Sequence, residues 1–242
     1  MRRGFVLACL EMAEPTALRI HVSERIGHVS ALLQGSADAH ALLVLAHGAG
    51  ADMRHVFMET LATELANAGV ATLRYQFPYS EKGQRRPSPQ PVLLATVRAA
   101  LATGARETKG RPLLAGGKSM GGRMTSLVVA GAAESADSRL PKLNGLVFVG
   151  FPLHGSRKPS SERADHLARV PLPMLFLQGT RDPLADLTLL APICEGLGSR
   201  GELHVVDDAD HSFHVPKRAG RTDEEILTEL AERIARFARD VS

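Results

Sequence analysis

A serine flanked by glycines, in Gly116-Gly117-Lys118-Ser119-Met120-Gly121-Gly122, joins two segments of different period. Before it, Pro112-Leu113-Leu114-Ala115 is a short apolar run, the pattern of a buried strand. After it, Met120, Met124, Leu127, Val128 and Gly131 recur at helical spacing across Met120–Ala133. A strand must therefore become a helix within a few residues, with Ser119 at the apex. Gly117-x-Ser119-x-Gly121 fits the strained strand-to-helix turn that presents a nucleophilic serine. A Cβ two residues to either side of that serine would strike a neighbouring strand or helix, which gives both glycines a steric reason. The helix N-terminus beyond the turn favours developing negative charge.

A different chemistry competes for the same residues. Gly117-Lys118-Ser119 matches the tail of a phosphate-binding loop, but that loop needs a glycine five residues before its last glycine. Pro112 stands there, at the strand, so no loop is long enough to wrap a phosphate. Nucleotide binding is not expected.

The flanking chain alternates strand and helix. Leu18–Val22 and His28–Leu33 alternate like half-buried strands about a turn at Glu24–Gly27, an antiparallel hairpin at a sheet edge. Ala41–Ala46 is continuously apolar, like a strand buried on both faces, and ends in His47-Gly48-Ala49-Gly50. Asp52 is placed to cap a helix over Met53–Ala68, stopped by Gly69. Strands follow at Val70–Tyr75, Leu146–Val149, Met174–Leu177 and Leu203–Val206. Gln76–Pro91 reads as a loop and Pro91–Arg106 as a helix. The polar stretch Phe151–Val170 holds at most a short helix around Ser161–Ala168, and the next helix is expected to break at Pro192. Thr222 and Glu225 form a capping box ahead of the apolar stripe Ile226, Leu230, Ile234 and Phe237. The pattern predicts a mostly parallel sheet with helices on both faces, and ligand-binding groups at the carboxyl ends of its strands.

The 242 residues show no internal repeat or interdomain linker, so residues 16–242 read as one α/β domain. Met1-Arg2-Arg3 and Gly4–Leu10 begin like a signal peptide, but Glu11 ends the apolar run. Export is not expected, and residues 1–15 read as a flexible extension. Cys9 and Cys194 are too few and too far apart for a disulfide framework, so the expected location is the cytoplasm. A net charge of +3 with scattered basic residues and no tryptophan argues against nucleic-acid binding. No run is long enough to span a membrane.

A serine hydroxyl is a poor nucleophile until a base takes its proton, and the base needs an acceptor on its other nitrogen. Ser119, Asp182 and His211 occur in the order nucleophile, acid, histidine, each just beyond an expected strand. Asp210 is a poor alternative acid, because adjacent residues on an extended loop point apart; Asp207 and Asp208 fit a loop-shaping or solvent-facing place. The Met120 N–H is the first expected oxyanion donor. The second comes from the loop after Ala46, with Ala49 the choice and Gly48 or Gly50 the alternatives. His47 reads as a structural histidine. Lys118 reads as packed beneath the turn against a carboxylate. Arg85, Arg86 and Arg123 are candidates for an acidic substrate, set against a solvated basic loop. His211 and His214 have metal-like spacing without a third ligand, so neither metal nor cofactor is expected.

These residues make the chain resemble the α/β-hydrolase superfamily over nearly its whole length, and more closely its small, lid-poor, dienelactone-hydrolase-like branch. The resemblance rests on His47–Gly50, Arg74–Tyr79, Gly116–Arg123, Phe151–His154, Gln178–Pro183 and Ala209–Phe213. That branch also holds testis-expressed hydrolase-like proteins and a chromatin-complex subunit. The resemblance implies a carboxyl-ester hydrolase acting on a small-molecule ester, and brings Gly48 and His154 among the substrate-binding candidates. True dienelactone hydrolases use a cysteine nucleophile, where this chain carries Ser119. Thioester or peptide hydrolysis with the same residues, and a non-enzymatic interaction module, are the alternatives. Oligomeric state is not legible.

Overall fold

The computed structural model describes residues 14–135, 139–156 and 158–242. The expected N-terminal extension and its signal-like start lie outside the described residues, save Glu14 and Pro15. Eight described strands form one sheet: β1 (Thr16–Ser23), β2 (Gly27–Gln34), β3 (Ala41–Ala46), β4 (Val70–Tyr75), β5 (Leu113–Lys118), β6 (Gly145–Val149), β7 (Met174–Gly179) and β8 (Gly201–Val206). Their order is β1-β2-β4-β3-β5-β6-β7-β8. The β1–β2 hairpin lies at the edge and β2 pairs antiparallel with β4, while every later pairing is parallel. This is the α/β-hydrolase architecture expected from the alternation of elements.

The helices are α1 (Val56–Asn67), α2 (Pro78–Glu81), α3 (Gln90–Glu107), α4 (Met120–Ser135), α5 (Leu187–Gly196) and α6 (Asp223–Asp240). Unbroken apolar strands require cover on both faces. In β3, Leu42, Val44 and Ala46 enter the core beneath α3 and α4, and Ala41, Leu43 and Leu45 enter the core beneath α1 and α6. On α6 the stripe Ile226, Leu230, Ile234 and Phe237 is buried as its spacing requires.

Three boundaries differ from the sequence expectation. α1 starts at Val56 rather than Met53, capped by His55, whose Nδ1 accepts from the Phe57 N–H. Residues 52–54 are diverted by partners on and beyond β4. The Met53 N–H donates to Gln76 Oε1, the Met53 carbonyl accepts from Arg74, and Asp52 accepts from the Arg54 N–H. The stretch Gln76–Pro91 is not all loop, since Pro78 pre-sets the first turn of α2. Pro192 does not break α5, which runs on through it with Leu190 and Cys194 buried.

The capping box at α6 is present on both sides: Thr222 Oγ1 accepts from the Glu225 N–H at 3.2 Å, and Glu225 Oε2 from the Thr222 N–H at 2.7 Å. Thr222→Ala is expected to lower stability by about 1 kcal/mol. Urea denaturation checks this, and a midpoint equal to wild type would contradict it.

Candidate active site

Ser119 follows β5 and precedes α4 with φ of +50°, a left-handed conformation that a residue with a Cβ adopts only under constraint. The constraint is backbone contact. A Cβ on Gly117 would lie 2.3 Å from the Ala46 carbonyl oxygen, and one on Gly121 would lie 2.6 Å from the carbonyl oxygens of Ala46 and His47. Both glycines let the turn sit directly on the end of β3. The Ser119 N–H donates to the Val149 carbonyl, tying the turn to β6 as well.

Three loops at the carboxyl edge of the sheet bring side chains together here. Ser119 Oγ lies 2.9 Å from His211 Nε2, and His211 Nδ1 lies 2.7 Å from Asp182 Oδ2. The same Asp182 oxygen accepts from Gln178 Nε2 at 2.6 Å, and its other oxygen from the Leu184 N–H at 2.8 Å. Burial raises the Asp182 pKa, but the His211 hydrogen bond and charge, with the Leu184 and Gln178 donors, outweigh it and hold the carboxyl below its usual range. Asp210 is occupied elsewhere: its Oδ1 accepts the N–H groups of Ser212 and His214 and shapes the loop that carries His211. Ser119, His211, Gly48 and Ala49 line one cavity of about 460 Å³.

A family model described as an alpha/beta hydrolase domain matches residues 39–239. The chain belongs to that family. Solved structures with the same fold include three at low identity. A lid-less α/β serine hydrolase from Xanthomonas campestris is 18% identical, with TM-score 0.67, covering 93% of this chain and 95% of that one. A dienelactone hydrolase from Anabaena variabilis is 20% identical, with TM-score 0.66, covering 91% and 97%. Est1E from Butyrivibrio proteoclasticus is 15% identical, with TM-score 0.65, covering 93% and 99%.

Within this hydrolase fold the other candidate residues fall in different places. Met120 is the first residue of α4, so its N–H has no intrahelical acceptor. Ala49 is exposed at the cavity, and Gly48 packs with its Cα beside Ser119. Arg85 and Arg86 are exposed on the loop after α2 and are not part of the cavity wall. His154 is buried and is not part of that cavity wall, with Nδ1 2.9 Å from the Gly155 carbonyl and Nε2 accepting from the Asp186 N–H. It braces the chain before α5. Lys118 Nζ donates to the His211 carbonyl rather than to a carboxylate. His214 faces Asp223 at 2.8 Å. Among the described residues, no three His, Cys, Asp or Glu side chains are grouped to hold a metal ion, and no helix is long and apolar enough to cross a membrane.

The support of the 47–53 loop is not visible in local sequence. Arg74, 1% exposed, donates to the Met53 carbonyl at 2.9 Å and to Gln34 Oε1 at 2.6 Å. Tyr79 Oη donates to the Gly48 carbonyl. His47 Nε2 accepts from the Phe77 N–H, so its proton sits on Nδ1 and donates to the Gly48 carbonyl at 2.8 Å. The compact Arg74–Tyr79 motif therefore holds the loop that contains Ala49.

Burial lowers the pKa of His47 from 6.5 to about 4, against the Gly48 hydrogen bond. Burial also lowers His166 to about 4, aided by Arg123 and Arg169; its Nε2 meets Ser126 Oγ at 2.7 Å and joins the 3-10 segment Glu162–Arg169 to α4. Between those values the unfolded chain binds the protons that the folded chain refuses, so stability falls as pH drops from about 6.5 to about 4. His166→Asn should make the fall of Tm across this window shallower. Equal slopes in variant and wild type would contradict the assignment.

Proposed function

We propose that this chain is a serine hydrolase that cleaves carboxylic esters through an acyl-enzyme on Ser119. The observation that carries the reading is the continuous path Ser119 Oγ–His211 Nε2–His211 Nδ1–Asp182, with its serine end at the cavity. In this reading Ser119 Oγ attacks the ester carbonyl while His211 Nε2 takes its proton. Asp182 fixes the tautomer and stabilises the imidazolium. The tetrahedral oxygen accepts hydrogen bonds from the N–H groups of Met120 and Ala49. Collapse expels the alcohol, which receives the proton from His211. Water, deprotonated by the same nitrogen, then releases the acid and restores the serine. The depressed Asp182 carboxyl supports an acid that stays ionised throughout.

The substrate proposed is a small or short-chain ester. No described residue of the strap 151–170 belongs to the cavity wall, and its 3-10 segment rests on α4 instead. The apolar wall comes from Phe57, Met58, Phe213 and Leu227. Each buried methylene contributes about 0.8 kcal/mol only while such a wall covers it. A cytoplasmic location is proposed because Cys9 and Cys194 are too few and too far apart in sequence for a disulfide framework, with Cys194 a buried free thiol.

A fluorophosphonate should label wild type but not Ser119→Ala. Ser119→Ala and His211→Ala should each lose several powers of ten in kcat without additivity. Asp182→Asn should lose up to about 10⁴-fold by favouring the wrong tautomer, and Asp210→Asn far less. Equal turnover by Ser119→Ala and wild type would end the reading, and a crippled Asp210→Asn beside a near-normal Asp182→Asn would overturn the choice of acid. In an ester series from acetyl upward, kcat/KM should be highest for short acyl groups. A steady rise to long chains would contradict the proposed substrate class.

A further inference from the structure

We propose that Lys118 is a positioning residue for the reaction: its ammonium clamps the His211 loop to the serine turn and supplies the positive charge that tunes His211 as a base. The proposal rests on the acyl-enzyme reading above.

Lys118 immediately precedes Ser119, and its ammonium reaches the loop carrying the histidine. Nζ donates to the His211 carbonyl at 2.6 Å, a short charge-assisted bond. It lies 5.7 Å from the ring centre of Phe57 on α1 and 5.6 Å from that of Phe213 on the His211 loop. Aromatic faces at such distances attract a cation without neutralising it. Gly150, just after β6, completes the seat: a Cβ there would stand 3.0 Å from Nζ and 3.5 Å from the His211 ring. One ammonium thus joins the serine turn, the His211 loop, α1 and the end of β6.

The charges facing the ammonium are carboxylates without direct contact. Asp182, on the loop after β7, and Asp210, on the His211 loop, both attract it. The α1 side presents the Phe57 ring, and the β6 side presents the Gly150 backbone. Burial lowers the lysine to about 8 against those two attractions, so it carries its charge at neutral pH and below. A cation held at the His211 carbonyl opposes a second positive charge on the same residue, so its removal is expected to ease protonation of the ring. A buried lysine with a purely structural place would hold the loop but would not move the pH at which the base becomes available.

Two substitutions separate the clamp from the charge. Lys118→Gln keeps a donor for the His211 carbonyl and removes the charge, whereas Lys118→Met removes both. The readouts are the pH dependence of fluorophosphonate labelling at Ser119, and kcat and KM for a short-chain ester. Both variants should shift the acid limb to higher pH by about one unit. Lys118→Met should in addition lose about 10- to 100-fold in kcat with little change in KM, as the histidine loses its place. If Lys118→Met does not fold, the acid limb of Lys118→Gln still decides the charge role. Wild type that is not labelled at Ser119 removes the reaction, and with it this role for Lys118. Wild type that labels, beside variants with an unmoved acid limb and unchanged kcat, overturns the role of Lys118 alone.

Discussion

The close approach of the serine turn to the end of β3 governs the rest of the site. With backbone at Gly117 and Gly121 pressed on the Ala46 and His47 carbonyls, no side chain separates the serine turn from the end of β3. Ser119 is left with a positive φ, and its hydroxyl is lifted above the strand edge. The same two carbonyls begin the loop that carries Gly48 and Ala49. A Cβ on Gly48 would lie 3.6 Å from Ser119 Cβ, so Ser119 and the candidate oxyanion donor share one anchor. Any change that pushes α4 off β3 therefore moves both at once.

Close packing alone does not hold the loops around the turn, because loops bury little apolar surface. Each is tied by a buried or half-buried polar side chain. Arg74 and His47 hold residues 47–53, Gln178 holds Asp182, and Lys118 holds the His211 loop. Hydrogen bonds to charged groups are worth about 1.5–3 kcal/mol each, and leaving such a group unpaired costs more. The ties are thus strong where made and selective against displaced loops. They also keep donors and acceptors oriented before a substrate arrives, which is the condition for electrostatic stabilisation without reorganisation.

The sheet was legible because β3, β5, β6 and β7 are buried on both faces and read as plain apolar runs. The order Ser119, Asp182, His211 was legible because each residue follows such a run. Where the sequence reading went astray, a distant partner displaced a local rule. Asp52 has the right chemistry to cap α1, but Gln76 and Arg74 hold Met53 outside the helix, more than twenty residues away in the chain. Lys118 was expected against a carboxylate, yet it meets a carbonyl ninety-three residues on, which no local pattern reports. Charge made Arg85 and Arg86 candidates and the family resemblance brought in His154, but neither charge nor residue type tells which way a loop faces. The cavity wall at Leu227 was invisible for a related reason: α6 reaches the cavity through tertiary packing on α1, β3 and β7, which no local pattern reports.

Three helices begin around the cavity, and their N-termini are not equivalent. α1 starts under the His55 cap with Glu59 in its first turn. α6 starts under the Thr222–Glu225 capping box with Asp223, Glu224 and Glu225 in its first turn. In both, side chains already satisfy free N–H groups and offset the positive end of the helix dipole. α4 has no acidic residue in its first turn, and glycines follow Met120 where a capping side chain might have stood. Its positive end is the least compensated of the three, and it points at Ser119. A carboxylate in that first turn would compete with a developing oxyanion for the same N–H groups. The glycines required by close packing on β3 therefore also leave the α4 N-terminus clear, so one steric constraint sets both the place of the serine and the field around it.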